Sequence, residues 1–181
     1  YHTVKDAISD LESIKATFDV AEDAGVALPV CSEKLSELAL NLRDSNVLFN
    51  HTVTETRSTA LHRFAAIKQG ENFHSLDVSM KEDTYTDPSR TQNTIYLRLQ
   101  YDEPSGTVLN VRKSMWIHPK LDRAISVREA ARLQSFPDSF VFIGTKDAQY
   151  QQVGNAVPPM LAKAIAEKLA KLLDNDTERT E

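Results

Sequence analysis

The sequence predicts an α+β protein, a small mixed domain followed by carboxyl-terminal helices. Three observations carry that expectation. Apolar residues recur at helical spacing in two places, Leu35, Leu38 and Leu42, and later Leu161, Ile165, Leu169 and Leu172. One stretch, Thr94 to Tyr101, instead alternates apolar Ile95, Leu97 and Leu99 with Tyr96, Arg98 and Gln100, the period of a half-buried strand. Turn-forming residues separate these segments, and 181 residues suffice for one ordinary domain or a small domain with an appended segment.

Taken in order, Thr3-Val4-Lys5-Asp6 is suited to cap a short helix that places Val4, Ile8 and Leu11 on one face. Residues 12–31 have weak periodicity, with a helical turn at Ala21 to Ala24 ended by Gly25. Ser32 then starts the helix carrying Leu35, Leu38 and Leu42. Asn50 to Asp87 is mixed and polar and is expected to be loop-rich, with one helix across 55–67. The strand at 94–101 is followed by Asp102-Glu103-Pro104-Ser105-Gly106, whose turn chemistry predicts a hairpin closed by Thr107 to Val111. Ser126 and Glu129 form a capping-box pair, and the helix they start must stop before Pro137. The last helix begins at Pro158 or Pro159, where a missing N–H costs nothing, and the charged residues from Asp174 on are expected to fray.

Composition bounds the function. The hydrophobic fraction of 41% and 26% charged residues are those of a globular chain, with no apolar run near the ~20 residues a membrane span needs. A single cysteine, Cys31, excludes an internal disulfide framework and fits a reducing cytoplasm. The net charge of -5 argues against tight binding to phosphate backbones, but the charge is uneven. Residues 1–50 carry nine acidic and four basic side chains, whereas 107–135 carry six basic ones (Arg112, Lys113, Lys120, Arg123, Arg128, Arg132) and two acidic. That strip is expected to give weak, salt-dependent DNA binding. His51, His62 and His74, eleven and twelve residues apart, lack the short pairings of zinc ligands, and no metal is expected.

Two segments stand out, the first long and mostly polar, the second short. The first is Arg123-x-x-Ser126-x-Arg128-Glu129-x-x-Arg132-Leu133-Gln134-x-Phe136-Pro137-Asp138; the second is Gly154-Asn155-Ala156-Val157-Pro158-Pro159. In this order and separation they resemble the last two sequence motifs of bacterial-type DNA (cytosine-5)-methyltransferases. Thr3 to Ile8 resembles the opening of that family's target-recognition region, and Ile117-His118-Pro119 is similar to its bacterial members. Residues 12–93 match little, as expected of the part that varies with DNA target.

The resemblance implies a division of the chain: 1–122 a DNA-reading region, 123–175 a segment returning to a Rossmann-like cofactor domain, 176–181 a disordered tail. It implies methyl transfer from S-adenosylmethionine to C5 of a cytosine swung out of the duplex, with a Pro-Cys nucleophile attacking C6. That nucleophile is absent: Cys31 sits in Leu28-Pro29-Val30-Cys31-Ser32 and is expected to be a half-buried thiol, and no glycine-rich cofactor loop occurs. Catalytic residues are therefore not expected in this chain, and alone it is expected to be inactive. By resemblance Asn155, Ala156 and Val157 line the cofactor pocket, although Gly154-Asn155 is equally a turn before a proline-started helix. Arg123, Arg128, Glu129 and Arg132 are expected to organise the protein through ion pairs rather than touch DNA. Thr107 stands near the family's flipped nucleotide, or is simply half of a β-branched strand pair with Val108; Arg112 and Lys113 are further candidates for DNA contact.

The expected partners are double-stranded DNA, a missing amino-terminal catalytic domain, and a second copy or a non-native surface for the apolar stripe of the last helix. The expected location is the bacterial cytoplasm, at the nucleoid, in an enzyme that acts alone or in a restriction-modification system. Three roles are compatible with this: a carboxyl-terminal portion of a longer enzyme, favoured by a start at Tyr1 without methionine; a natural half of a split enzyme; or a stand-alone DNA-binding or scaffolding protein.

Overall fold

A computed structural model describes residues 1–29, 34–82 and 84–177. Helix α1 (Val4–Ile8) is opened by Thr3 and Asp6, each side chain accepting the other's backbone N–H, so two of the free amides of the first turn are satisfied. A 3-10 turn follows at Ser9–Leu11 and another at Val20–Glu22, before Gly25 with φ +81°. Helix α2 (Glu37–Leu42) starts at Ser36, not Ser32, which with Cys31 lies outside the described residues. The Ser36 hydroxyl accepts from Ala39 N at 2.9 Å and donates to Asp6 O at 2.6 Å, fastening α2 to α1. Leu35 precedes the helix, so its buried stripe is Leu38, Ala39 and Leu42.

Strands β1 (Val26–Ala27) and β2 (Val47–Leu48) pair antiparallel and form the one sheet among the described residues. The loop-rich middle contains α3 (Ser58–Ala66), α4 (Val78–Lys81) and short 3-10 turns.

The hairpin expected at 94–111 does not form. Tyr96 takes a left-handed φ of +54°, which ends the extended run. Arg98, polar and therefore expected outside, is buried because three backbone carbonyls need donors: it gives hydrogen bonds to Ile67 O (2.7 Å), Phe64 O (2.6 Å) and His118 O (3.1 Å). The partner of this segment is Ile117, bridged in parallel to Arg98, and Ile117 in turn bridges antiparallel to Ala124. Residues 107–110 have no regular structure, and α5 (Val111–Ser114) occupies the expected end of the second strand.

Ser126 and Glu129 cap α6 (Val127–Leu133), and Ser135 at φ +61° turns the chain toward Pro137. Helix α7 (Lys146–Asn155), capped by Thr145, was not foreseen: the sequence read its end as a turn, and its polar composition shows no apolar stripe. Helix α8 runs from Pro159 to Thr177, past the expected fraying point; residues 178–181 lie outside the described ones.

The main core joins α1, α2, α6 and α7, with Val4, Ile8, Leu42, Val127, Ala130, Tyr150 and Val153 around Trp116 and Phe136. Packing is therefore continuous across the 122/123 division. A second cluster holds Phe64, Ile67, Phe73, Leu76, Tyr96 and Ile117, its rings meeting edge to face, as Phe64 and Tyr96 do at 5.1 Å. Helix α8 stands apart. Leu161, Ile165, Leu169 and Leu172 remain 52%, 51%, 54% and 49% exposed, so the stripe is not docked on the rest of the chain. Among the described residues no helix is long and apolar enough to cross a membrane.

Candidate functional site

A buried arginine network holds the candidate site. Arg123 donates twice to Glu129, at 2.8 and 2.7 Å, and Glu129 also accepts from Ser126 N at 2.7 Å. Burial works against a charged Glu129, but these donors outweigh it and hold the carboxyl at about 2. Arg132 is 1% exposed and makes paired bonds to Asp138 at 2.9 and 2.5 Å, with a third to Asp10 at 2.6 Å. Burial opposes its charge too, and the two carboxylates overcome that. Arg128 is fully buried and reaches carbonyls instead: Phe49 O at 2.9 Å, Pro137 O at 3.0 Å and Phe140 O at 2.6 Å. With Asp138 no nearer than 3.9 Å, burial pushes this guanidinium down to about 10.

The six-cation strip of the sequence is thus not a surface strip. Arg128 and Arg132 face inward and Arg123 is committed to Glu129; among these six, Arg112, Lys113 and Lys120 reach the surface, and of them Arg112 is tied to Asp147 and Lys120 to Glu12. Burial removes Arg128 and Arg132 from any surface contact and leaves Arg112, Lys113 and Lys120 as the outward members of that stretch.

Several members of the network carried no sequence signal. Asp10 falls between the stripe positions Ile8 and Leu11 of the first expected helix, and Asn50, at φ +64°, accepts from Phe142 N and donates to Phe142 O at 2.9 Å each. His51 joins Ser126 Oγ at 3.0 Å and Ile14 O at 3.1 Å, and burial lowers it from its usual range. His118, which the sequence does single out within Ile117-His118-Pro119, accepts two backbone N–H groups on Nδ1, leaving Nε2 3.8 Å from Glu129; burial lowers it to about 4.

The second motif ends α7. Asp147, Gln151 and Asn155 recur every four residues and so share one face, which looks onto residues 107–114. Along that face Asp147 pairs with Arg112, Asn110 Nδ2 donates to Gln151 Oε1 at 2.8 Å, and Gln151 Nε2 donates to Asn155 Oδ1 at 2.7 Å. Gly154 permits the approach: a Cβ there would lie 2.6 Å from the carbonyl of Leu109. Gln134 closes the contact from below, donating to Val153 O at 2.9 Å and Val108 O at 3.5 Å.

Thr107 is exposed one residue before buried Val108, Lys113 is exposed on α5, and Asn155 and Val157 are exposed with Ala156 half-buried between them. Met160 N at the start of α8 donates to Ser135 Oγ at 3.1 Å. A cleft of about 210 Å³ lies beside this region, lined by Gln92, Ile95, Asn110, Lys113 and Trp116 among others. The structure thus gathers Thr107, Arg112 and Lys113 on one side of α7 and Asn155 to Val157 at its end, while Arg123, Arg128, Glu129 and Arg132 lie beneath.

Comparison with known proteins places this arrangement. The chain is 38% identical over 137 residues to the type II methyltransferase M1.HphI of Haemophilus parahaemolyticus, covering 76% of this chain and 35% of that protein. It is 33% identical over 135 residues to the type II methyltransferase M.AquIB of Picosynechococcus sp., covering 68% of this chain and 88% of that protein. A crystal structure from E. coli, titled as a DNA modification methyltransferase encoded within a prophage, superposes with a TM-score of 0.68 at 26% identity, over 94% of this chain and 47% of that one. The chain spans about a third of M1.HphI and about half of the prophage protein. The family described as C-5 cytosine-specific DNA methylase matches residues 3–171, nearly the whole of the described chain, and to that family the chain belongs.

Proposed function

We propose that this chain supplies the DNA-recognition region and one edge of the cofactor pocket of a DNA (cytosine-5)-methyltransferase whose nucleophile lies outside these 181 residues. The observation that carries the reading is the conjunction of a family match over 3–171 with a sequence that contains no Pro-Cys pair. In the assembled enzyme S-adenosylmethionine supplies the methyl group that ends on C5 of a flipped cytosine.

The residues at the end of α7 suit one wall of such a pocket. Asn155 has its Oδ1 engaged by Gln151, which leaves its N–H groups to face a ligand, and Val157, 63% exposed, offers an apolar surface next to it. Thr107 and Lys113 face DNA from the adjoining segment, Lys113 as a cation for phosphate and Thr107 at the nucleotide. Arg123, Arg128, Glu129 and Arg132 do not contact DNA in this reading; they hold the backbone on which those residues stand. The apolar stripe of α8 rests against the catalytic domain and completes its Rossmann-like layer; without that domain the stripe pairs with a second copy. The cytoplasm, at the bacterial chromosome, is the place for such an enzyme, in a modification or restriction-modification role.

One observation favours a split enzyme as a second reading. M.AquIB is matched over 88% of its length, so a family relative exists that is little larger than the matched region. In that case the catalytic half is a separate chain, and α8 is its docking element.

The test is a chimera with the catalytic part of M1.HphI placed ahead of this chain, assayed with labelled S-adenosylmethionine and unmethylated DNA. The isolated chain should transfer no label, and the chimera should methylate at a target different from that of M1.HphI. Label transfer by the isolated chain that survives Cys31→Ala, or a chimera with the unaltered M1.HphI target, overturns the proposal. Replacing Leu161 and Ile165 by Gln should abolish the chimera's activity and, in the isolated chain, reduce any dimer seen by sedimentation.

A further inference from the structure

We infer that Gln151 is a positioning residue: it fixes the Asn155 amide in the orientation that presents N–H groups to the methyl donor, and it ties that amide to Asn110 on the DNA-facing segment. The inference rests on the proposed function for the roles of its two ends; the relay itself stands on the geometry. Asn110 donates to Gln151 at 2.8 Å, and Gln151 donates to Asn155 at 2.7 Å. Both bonds run in one direction, so each amide's orientation sets the next. A primary amide can present either a donor or an acceptor outward, and nothing in Asn155 itself decides which. With its oxygen taken by Gln151, its NH2 is what remains for a ligand.

Three features show that this is a built contact and not a chance meeting of surface side chains. Asp147, Gln151 and Asn155 are spaced by four on one face of α7, and the first two reach Arg112 and Asn110, the start of α5 and the residue before it. Gly154 lets that face approach the Leu109–Asn110 backbone far closer than any other residue would allow. Gln134 joins Val108 and Val153 from the buried side, so one side chain bridges the two segments. At the far end, Asn110 Oδ1 is buried with no hydrogen-bond partner, and Asn110 lines the cleft shared with Gln92 and Lys113. A group donating to that oxygen would polarise the amide and strengthen its donation to Gln151, which is how occupancy on the DNA side is felt at Asn155.

Two substitutions separate the parts of the relay. Gln151→Met removes both bonds. Gln151→Glu keeps an acceptor for Asn110 but has no donor for Asn155, whose amide must turn to donate inward and present its oxygen outward. On the full 181-residue chain, nitrogen-resolved exchange of the side-chain amides reads this directly. Gln151→Met should speed exchange of the Asn110 NH2 by roughly tenfold, the loss of one net hydrogen bond. Gln151→Glu should leave the Asn110 NH2 slow and slow the Asn155 NH2 by a similar factor. In the chimeric methyltransferase both variants should raise KM for S-adenosylmethionine roughly three- to tenfold, with KM for DNA within about twofold. The inference is overturned by an Asn110 amide indifferent to Gln151→Met, by an Asn155 amide indifferent to Gln151→Glu, or by an unchanged KM for the methyl donor. A chimera that fails to methylate even with Gln151 in place overturns the proposed function instead, and amide exchange then decides the relay alone.

Discussion

Replacing Gly154 by alanine sets two effects of known sign against each other. Gly154 lies inside α7, where alanine is favoured over glycine by ~1 kcal/mol, so a helix free of neighbours would be stabilised. The added Cβ would sit 2.6 Å from both the carbon and the oxygen of the Leu109 carbonyl and 2.9 Å from Asn110 N. Ordinary contact for such pairs begins at ~3.5 Å, so the loop must retreat by ~1 Å. It has little room to do so. Val108 and Val111 on either side are 4% and 2% exposed, Gln134 holds the Val108 carbonyl, and Asn110 is bonded to Gln151. Overpacking costs ~1–3 kcal/mol, and a clash with three backbone atoms takes the upper part of that range, ~2–3 kcal/mol, so that after the propensity gain the net loss is ~1–2 kcal/mol. For a chain of this length that lowers Tm by ~2–8 °C. Gly106→Ala is the matched control, since its Cβ would meet nothing nearer than Trp116 at 3.9 Å. Thermal unfolding of both variants followed by circular dichroism decides the matter. A Gly154→Ala chain as stable as the unmutated one, or more stable, would refute the close approach of α7 to the 107–110 segment.

Arg132→Met leaves Asp138, fully buried, without its paired donor and should cost ~3–5 kcal/mol, read as a lowered denaturation midpoint or loss of folded chain; adding Asp138→Asn should recover more than ~1 kcal/mol of it, and strict additivity in that cycle would show that the pair is not coupled. Acid should unfold the chain in two stages. His118 is held near 4 in the fold against an ordinary 6.5, so its contribution of ~3 kcal/mol is complete above pH 6.5 and is lost as pH falls toward 4, with buried His51 acting in the same direction. Glu129, held near 2 against 4.5, gives a contribution that is complete above 4.5 and disappears toward 2. Denaturant midpoints of His118→Gln measured from pH 7 to 4.5 should fall less steeply than those of the unmutated chain; an equal slope would remove His118 from the account.

The parts of this fold that were legible in the sequence are those whose cause is local. Thr3 with Asp6 and Ser126 with Glu129 announce helix starts because a capping box is satisfied within four residues. Pro159 marks the start of α8 for an equally local reason. No hairpin forms because alternation of residue type along 94–101 is not alternation of burial. Arg98 is buried by carbonyls supplied more than thirty residues away at Phe64 and Ile67, which no local pattern contains. Helix α7 escaped notice because it buries Gln149, Tyr150 and Val153 beneath a polar face that the chain uses for contact with Asn110 and Arg112. The basic stretch hides its burial for a related reason: charge along the chain does not tell which guanidinium points inward. Motif order identified the family, but the partners of those motifs, Asp10, Asn50 and His51, lie far upstream without any pattern of their own.

Arg98 has a consequence for how such a protein can change over time. Phe64, Ile67, Phe73, Leu76 and Tyr96 cluster with Ile117, and several of the bonds that fasten this part to the remainder involve main chain: Phe64 and Ile67 carbonyls on Arg98, Gly70 N on the Arg98 carbonyl, Tyr96 N on Ser114 O. Main-chain groups are the same in every amino acid. A clasp that grips carbonyls is blind to the identity of what it holds, so the held segment can be rewritten, lengthened or exchanged for an unrelated one while the grip survives. The constraint falls on the arginine and on the path of the backbone past it, and the surface beyond is left free to vary without the body of the protein having to refold around it.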